Sequence, residues 1–304
     1  MRHLKIMLCV AIMMTAVVRI HAQDRGSHHS IGLWGAAGYS GLMSDVDSTS
    51  LGLGYGASAG VMYEFQKHHF IINLGVGFQW QDAGTKLDDI ASDVPNQRDD
   101  QNDMYTLRYR FKDRTDRSRS GSLQVPLMLG AQFGGFYFLA GAKANLQLMS
   151  SSKTKADVTT MGVYDQFVKP FIDMDNHGFR SNVPVKSSGD GLKFNTDISA
   201  SVELGWVLGA RGGSETGFDA PKTGKIRYRL GVYADYGLMN IHQNESLPII
   251  ELPAGNNIGD IKMNHIFATN FAKDKSVVPI NVGVKFTVLF GLPHRGTCIR
   301  CDDY

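Results

Sequence analysis

Between residues 31 and 290, apolar side chains recur at every second position in eight separate stretches. The last is the cleanest: Val278, Ile280, Val282, Val284, Phe286, Val288 and Phe290 alternate with Pro279, Asn281, Gly283, Lys285, Thr287 and Leu289. Successive side chains of a strand point to opposite faces, so this spacing predicts a strand with one apolar face and one mostly small or polar face. The same alternation covers residues 31–39, 53–65, 70–80, 123–133, 136–148, 198–208 and 226–238. Most apolar faces hold six or seven positions, which is 11 to 13 residues of strand. A tilted strand crosses a bilayer in about 9 to 11 residues, whereas strands of globular domains average about five or six.

The connections alternate as well. Gln66-Lys67-His68-His69 and Gly134-Gly135 are tight, while 40–52, 81–122, 149–195 and 239–276 are longer. Membrane barrels join strands by short turns on one side and longer loops on the other. Only the third inner connection, 209–225, glycine-rich around Arg211-Gly212-Gly213, is longer than that rule expects. Tyr63, Phe65, Phe70, Phe133, Phe136, Trp206, Tyr228, Phe286 and Phe290 fall near one set of strand ends. Tyr39, Tyr55, Phe78, Trp80 and Tyr236 fall near the other. Two such belts match the aromatic girdles of bilayer interfaces. Together these signs predict an all-β fold, a transmembrane antiparallel up-and-down β-barrel of eight strands with long outer loops, short inner turns and both termini inside. The competing arrangement is a soluble barrel or sandwich whose apolar face is its core. It would have to bury an unusually long face and leave a glycine-rich one wet.

Ahead of the first strand, Arg2 and Lys5 precede an uncharged run from Ile6 to Val18, and Ile20-His21-Ala22 ends in a small residue before Gln23. That layout predicts a signal peptide over residues 1–22, since the run is too short for a helical anchor. Cys9 lies inside the run and not at its end, which argues against a lipoprotein signal. The barrel is expected over 23–291, with a short periplasmic tail over 292–304. Removing Arg2, Lys5 and Arg19 from the 31 basic residues leaves 28 against 29 acidic ones. The pI of 8.3 therefore belongs to the precursor. No Lys/Arg run remains to neutralise a phosphate backbone, so nucleic acid is not an expected partner. The expected location is the cell outer membrane, crossed many times, with outer-membrane lipid and lipopolysaccharide as surroundings.

The strand Leu123-Gln124-Val125-Pro126-Leu127-Met128-Leu129, with its mid-strand proline, precedes an aromatic, glycine-containing strand from Phe136 to Gln147. This pattern resembles the outer-membrane-protein β-barrel family that includes the PorT-like proteins, and is similar to the barrel half of OmpA-like proteins. The resemblance covers nearly the whole mature chain. It implies a membrane-embedded barrel and envelope or secretion proteins as partners, and it carries no catalytic residue across. The 14 residues after Phe290 are too few for the peptidoglycan-binding domain that OmpA-like proteins usually add.

Eight strands enclose an interior just wide enough for side chains to fill. Its inward positions carry Glu64, Asp197, Glu203 and Asp235 against Lys143, Arg227, Arg229 and Lys285. Lone buried charges are costly, so these groups are expected to pair or be hydrated. Counting from the turn between the sixth and seventh strands puts Glu203 and Arg229 at similar height on neighbouring strands. Intramembrane charges also serve proton or solute paths, but eight strands argue against a wide pore.

Other chemistry is sparse. Gly52-Leu53-Gly54-Tyr55-Gly56 has no following helix to present a phosphate site, and its glycines suit a curved wall. His177, His242 and His265 fall in three outer loops and could meet at the rim, but lack a metal-ligand spacing. Cys298-Ile299-Arg300-Cys301 leaves open a local disulfide, two inert thiols, or a metal or redox pair; no thioredoxin-like unit surrounds it. The outer loops read as polar and charge-mixed, with Asp88-Asp89 and Asp99-Asp100 followed by Arg108, Arg110, Arg114, Arg117 and Arg119. The alternation Tyr105, Leu107, Tyr109, Phe111 predicts a strand pair continuing above the membrane. The chain thus reads as a non-enzymatic barrel with a charge-plugged interior. It would need no cofactor and would act as an envelope or secretion-assembly component through its loops and third inner connection. The alternatives are a lipid- or peptide-modifying enzyme using the loop histidines, and a narrow channel.

Overall fold

The computed structural model describes residues 27–46, 49–87, 90–99, 101–167, 169–171, 179–190, 192, 196–209, 226–241, 247–251 and 261–292. The strands are β1 (Ser27–Ser44), β2 (Thr49–Lys67), β3 (Phe70–Leu87), β4 (Ile90–Arg98), β5 (Met104–Phe133), β6 (Phe136–Val163), β7 (Val183–Asp190), β8 (Asp197–Gly209), β9 (Ile226–Gly237), β10 (Ile250–Glu251), β11 (Lys262–Met263) and β12 (Val277–Gly291). Two single 3₁₀ turns, Ile266–Ala268 and Asn270–Ala272, are the only helical elements among the described residues. No helix among them is long and apolar enough to cross a membrane.

Eight strands close on themselves in the order β1, β2, β3, β5, β6, β8, β9, β12, each antiparallel to its neighbours. Their stagger follows from the register. A row starting at Phe133 passes Phe136, Trp206, Leu230, Phe286, Gly35, Ala59 and Phe78 and returns to β5 at Leu123, ten residues from its start. With strands about 4.8 Å apart and about 3.3 Å per residue, that stagger fixes a tilt of about 40° and a radius of about 8 Å. At that tilt about 11 residues cross a hydrocarbon band.

The alternation seen in the sequence is the alternation of the wall. Leu33, Leu53, Leu127, Val202, Val232 and Val284 are exposed, while their neighbours Trp34, Met128, Ser201, Glu203, Tyr233 and Lys285 are buried. Continuous exposed apolar faces around a closed ring suit lipid, because closure satisfies every backbone group without an edge. Two-residue turns join β2 to β3 and β5 to β6, with His68 and Gly134 taking positive φ; these define the turn end of the barrel.

The strands do not stop at the rim of the other, loop end. β5 runs for 30 residues and β6 for 28, so one side of the barrel rises as a wall of β3, β5, β6 and β7. β4 pairs with β5 from Ile90–Phe111 to Arg98–Met104, the hairpin that the aromatic alternation predicts. Outward of the rim the wall turns an apolar face inward, through Leu87, Tyr109, Phe111, Ala156, Val158 and Val185. Ile249, Ile261, Met263, Ile266 and Phe267 cover it. The expectation of polar, charge-mixed loops describes their outer side, and on the inner side they also share an apolar core that caps the barrel. The phase of the pattern is adjusted at bulges between Gly121 and Ser122 and between Lys112 and Thr115, where Asp113 has φ 50°.

Phe267 is fully buried in this cap, and truncating such a ring costs about 3–5 kcal/mol. Phe267→Ala is expected to speed protease cleavage within the loops severalfold while the heat-dependent gel shift of the barrel persists. Unchanged cleavage would show that the cap does not depend on this core.

Candidate functional site

Inside the barrel, polar side chains pair across the lumen in layers. Nearest the turn end, Glu64 of β2 accepts from Arg227 Nη2 at 3.1 Å and from Arg229 Nη2 at 3.0 Å, with Arg229 Nη1 on its second oxygen. β9 lies three strands from β2 around the ring, so these bonds reach over the lumen. Arg227 also donates to Gln66 Oε1 and Ser30 Oγ, both at 2.8 Å.

In the middle layer Glu203 of β8 accepts from Lys285 Nζ at 2.7 Å and from the Tyr137 hydroxyl at 2.8 Å. Aromatic faces link the layers: the Arg229 guanidinium lies 4.9 Å from the Tyr137 ring centre, and Lys285 Nζ lies 5.3 Å from that of Trp34. Desolvated cations on ring faces gain electrostatic attraction that helps offset lost water. The inward glycines make room for these rings. A Cβ on Gly77 would sit 2.6 Å from Trp34 Cζ2, so the indole occupies the volume a side chain would need.

Toward the loop end Lys143 of β6 donates to both oxygens of Asp235 at 2.7 and 2.9 Å, and Ser201 Oγ adds a bond of 2.6 Å. Among the described residues Asp197 has only neutral donors, Asn145 Nδ2 at 3.1 Å and Ser199 Oγ at 2.5 Å. Above it a cavity of about 40 Å³, lined by Gln81, Ser118, Ser122, Asn145, Gln147 and Asp197, separates the charged layers from the cap; it has room for about three waters. All eight inward charges are buried. They are balanced in number but not in height: two guanidiniums share one carboxylate at the turn end, and an unanswered carboxylate sits at the loop end.

The similar height expected of Glu203 and Arg229 is not found in the register, although the Tyr137 side chain links them, donating to Glu203 and lying under the Arg229 guanidinium. On the ladder Val207 faces Arg229 and Glu203 faces Tyr233, so the two charges are offset by four residues. The connection between β8 and β9 is too long to set register by counting, and the partners come from across the lumen, where stagger decides height.

The loop histidines also differ from expectation. His265 does not sit at an open rim. It is buried at the start of the first 3₁₀ turn, where its Nδ1 accepts from Phe267 N at 3.2 Å. Beside it lies a buried ion pair: Arg114 Nε and Nη2 each donate to Asp116 at 3.0 Å. Arg114 also reaches Asn264 O at 2.5 Å, and Asp116 accepts from Ile266 N at 2.7 Å. Loss of water pushes the His265 imidazole down to about 4; the Arg114 charge acts in the same direction and Asp116, 4.0 Å away, opposes it. The ring is thus neutral at pH 7 and closed to solvent, a cap for a turn. His177, His242, Cys298 and Cys301 lie outside the described residues. Among the described residues no group of three or more His, Cys, Asp and Glu is arranged to hold a metal.

Three participants escaped the sequence reading: Tyr137 and Trp34 in the lumen, and the Arg114–Asp116 pair in the cap. Tyr137 and Trp34 stand at inward positions of alternating strands, a signal that was present. Arg114 lies among exposed arginines at even and odd positions alike, and nothing local distinguishes it.

A family model described as outer membrane protein beta-barrel domain matches residues 21–243. No curated protein and no solved structure matches the chain.

Removing one member of a buried ion pair strands the others and costs about 3–5 kcal/mol. Glu64→Gln is therefore expected to lower the unfolding free energy in detergent by that amount, read from the denaturant midpoint; a midpoint equal to wild type would mean that the guanidiniums are hydrated. The cap carries its own pH dependence. Folded, His265 binds a proton only near pH 4, against 6.5 when unfolded. Its neutral form therefore supports the cap fully above pH 6.5, and this support falls by about 1.4 kcal/mol per unit as pH drops toward 4. Loop proteolysis should accelerate between pH 7 and 5 in the wild type and not in His265→Asn, which keeps a capping acceptor without a titrating ring. Equal acceleration in both would assign the effect elsewhere.

Proposed function

The chain belongs to the family of outer membrane protein β-barrel domains, and from that premise we propose that it is a non-enzymatic, non-conducting barrel that holds a protein-binding arm above the membrane for another envelope or secretion component. In this reading the loop end faces away from the cell and the turn end faces the periplasm.

The observation that carries the reading is the arm. From Gly121 to Met104, β5 continues for roughly 55 Å of extended chain beyond the band of lipid-facing residues, paired with β6 and then β4. At its tip the rings of Tyr105 and Tyr164 stack at 5.2 Å, Phe179 meets Tyr105 at 5.7 Å, and Phe171 meets Tyr164 at 5.5 Å and Phe167 at 5.1 Å. Phe167 and Met104 are each 52% exposed. A long, cross-braced hairpin with aromatic side chains at its end is the kind of rigid, apolar anchor on which protein interfaces concentrate their energy. A solvated loop has no need of it.

The interior supports a scaffold over a pore, since paired side chains and rings occupy the lumen from Arg227 to Asp235. The burial of His265 removes one of the three histidines from which a rim-based hydrolytic site was to be built, which favours a binding role over catalysis.

Cross-linked affinity purification of the tagged protein from outer membranes tests the proposal. Wild type should recover a stoichiometric envelope or secretion protein, and Met104→Ser with Phe167→Ser should reduce that recovery at least tenfold by the loss of two apolar anchors. Recovery of the barrel alone would overturn it. In planar bilayers both wild type and Glu203→Gln should be silent; discrete openings would favour the narrow channel.

A further inference from the structure

Where the wall rises from the barrel, its outward face changes from apolar to basic within one row. Trp80, Gly121 and Met149 lie abreast on β3, β5 and β6 and form the last apolar row. The next outward-facing row holds Asp82, Arg119 and Ser151. Beyond it come Gly84, Arg117, Lys153 and Ser188, and then Lys86, Thr115, Lys155 and Lys186. Six cations thus share one face of four strands. Their chain neighbours Leu87, Asp116, Ser118, Thr154 and Val185 are buried under the cap, so Lys86, Arg117, Lys153, Lys155 and Lys186 stand exposed and Arg119 is half-exposed.

Among the described residues, Asp82 is the carboxylate that pairs with these cations. Asp82, itself buried, lies 3.0 Å from Arg119 and 3.5 Å from Arg117. Asp157 lies a row further out, abreast of Lys112. Meanwhile Arg117 stands directly opposite Lys153, and Lys155 opposite Lys186. Like charges facing each other across strands destabilise a sheet, so folding alone does not favour this grid. A polyanion lying on it would turn each repulsive pair into a chelating one, with donors about 5 Å apart across strands and about 7 Å along them.

Depth identifies the occupant. Trp80 belongs to the interfacial belt, and the first cation lies two residues beyond it, about 7 Å along a tilted strand. That is the level of lipid headgroups. We propose that this face binds the phosphorylated headgroup of an outer-leaflet glycolipid, held by Arg117, Arg119, Lys153, Lys155 and Lys186. The site rests on the barrel's placement in the bilayer and is independent of the protein partner assigned to the arm.

The test uses the purified full chain in nanodiscs, with three probes: phosphorylated lipopolysaccharide, the same lipopolysaccharide after phosphatase treatment, and inorganic pyrophosphate. Each cation near an anionic surface contributes roughly a fivefold gain in affinity, so Lys153→Gln, Lys155→Gln and Lys186→Gln together should weaken binding of the phosphorylated form about a hundredfold. The three Lys→Arg replacements should keep it. Wild type should bind the dephosphorylated form no better than the triple glutamine variant binds the phosphorylated one. Equal binding of phosphorylated and dephosphorylated forms by wild type overturns the proposal whatever the variants do. Pyrophosphate that binds as tightly as the glycolipid also overturns it, by showing a free-anion site.

Discussion

Closure of eight strands with a ten-residue stagger is the constraint from which the interior follows. The stagger sets the radius, and a radius of about 8 Å leaves a lumen that side chains must fill, because it is too narrow for bulk water and too polar in lining to stay dry and empty. Filling it with charges obliges each to find a partner. Strand neighbours seldom supply one, because inward positions on adjacent strands lie at different heights on a sheared wall. The partners therefore come from across the lumen, as Glu64 does for Arg229 and Glu203 for Lys285. Small residues then become a necessity, since rings such as Trp34 lie over the neighbouring strands, against Gly60 and Gly77, and so leave these bonds unobstructed.

The same alternation serves two solvents. Within the bilayer the apolar set faces outward and the polar set is sealed inside. Above the rim the apolar set faces inward and is covered by the segment ending at Val277, while the polar set meets water. Bulges at Gly121–Ser122 and Lys112–Thr115 re-phase the strands between the regimes without breaking the ladder. The buried Arg114–Asp116 pair ties the covering segment to the wall through Asn264 and Ile266, so the cap is fastened by backbone groups as well as by packing.

What was legible in the sequence was what repeats. A lipid-facing surface has to be apolar at every second residue for the full thickness of a membrane, and stretches such as 278–290 show that directly. Identity of the inward charges followed from the same phase. Their pairing did not, because Glu64 and Arg229 are 165 residues apart and meet only through the stagger of the whole ring. The cap core was hidden for another reason: Tyr109 and Phe111 alternate with polar residues whether their apolar side meets lipid or other side chains. The basic face was hidden most completely. Its members are scattered from Lys86 to Lys186, never as a run, and only the register of four strands sets them side by side.

Among the described residues the wall rises on one side only. A plain eight-stranded ring looks the same from every direction in the plane of the bilayer, but this one has a front and a back. β3, β5, β6 and β7 present a charged flank and a projecting hairpin to one neighbour, while the strands opposite end near the rim. Spinning about the membrane normal is therefore not a neutral motion for this molecule. Whatever engages the flank or the hairpin fixes its compass bearing, and a crowded sheet of such barrels would order by facing as well as by spacing.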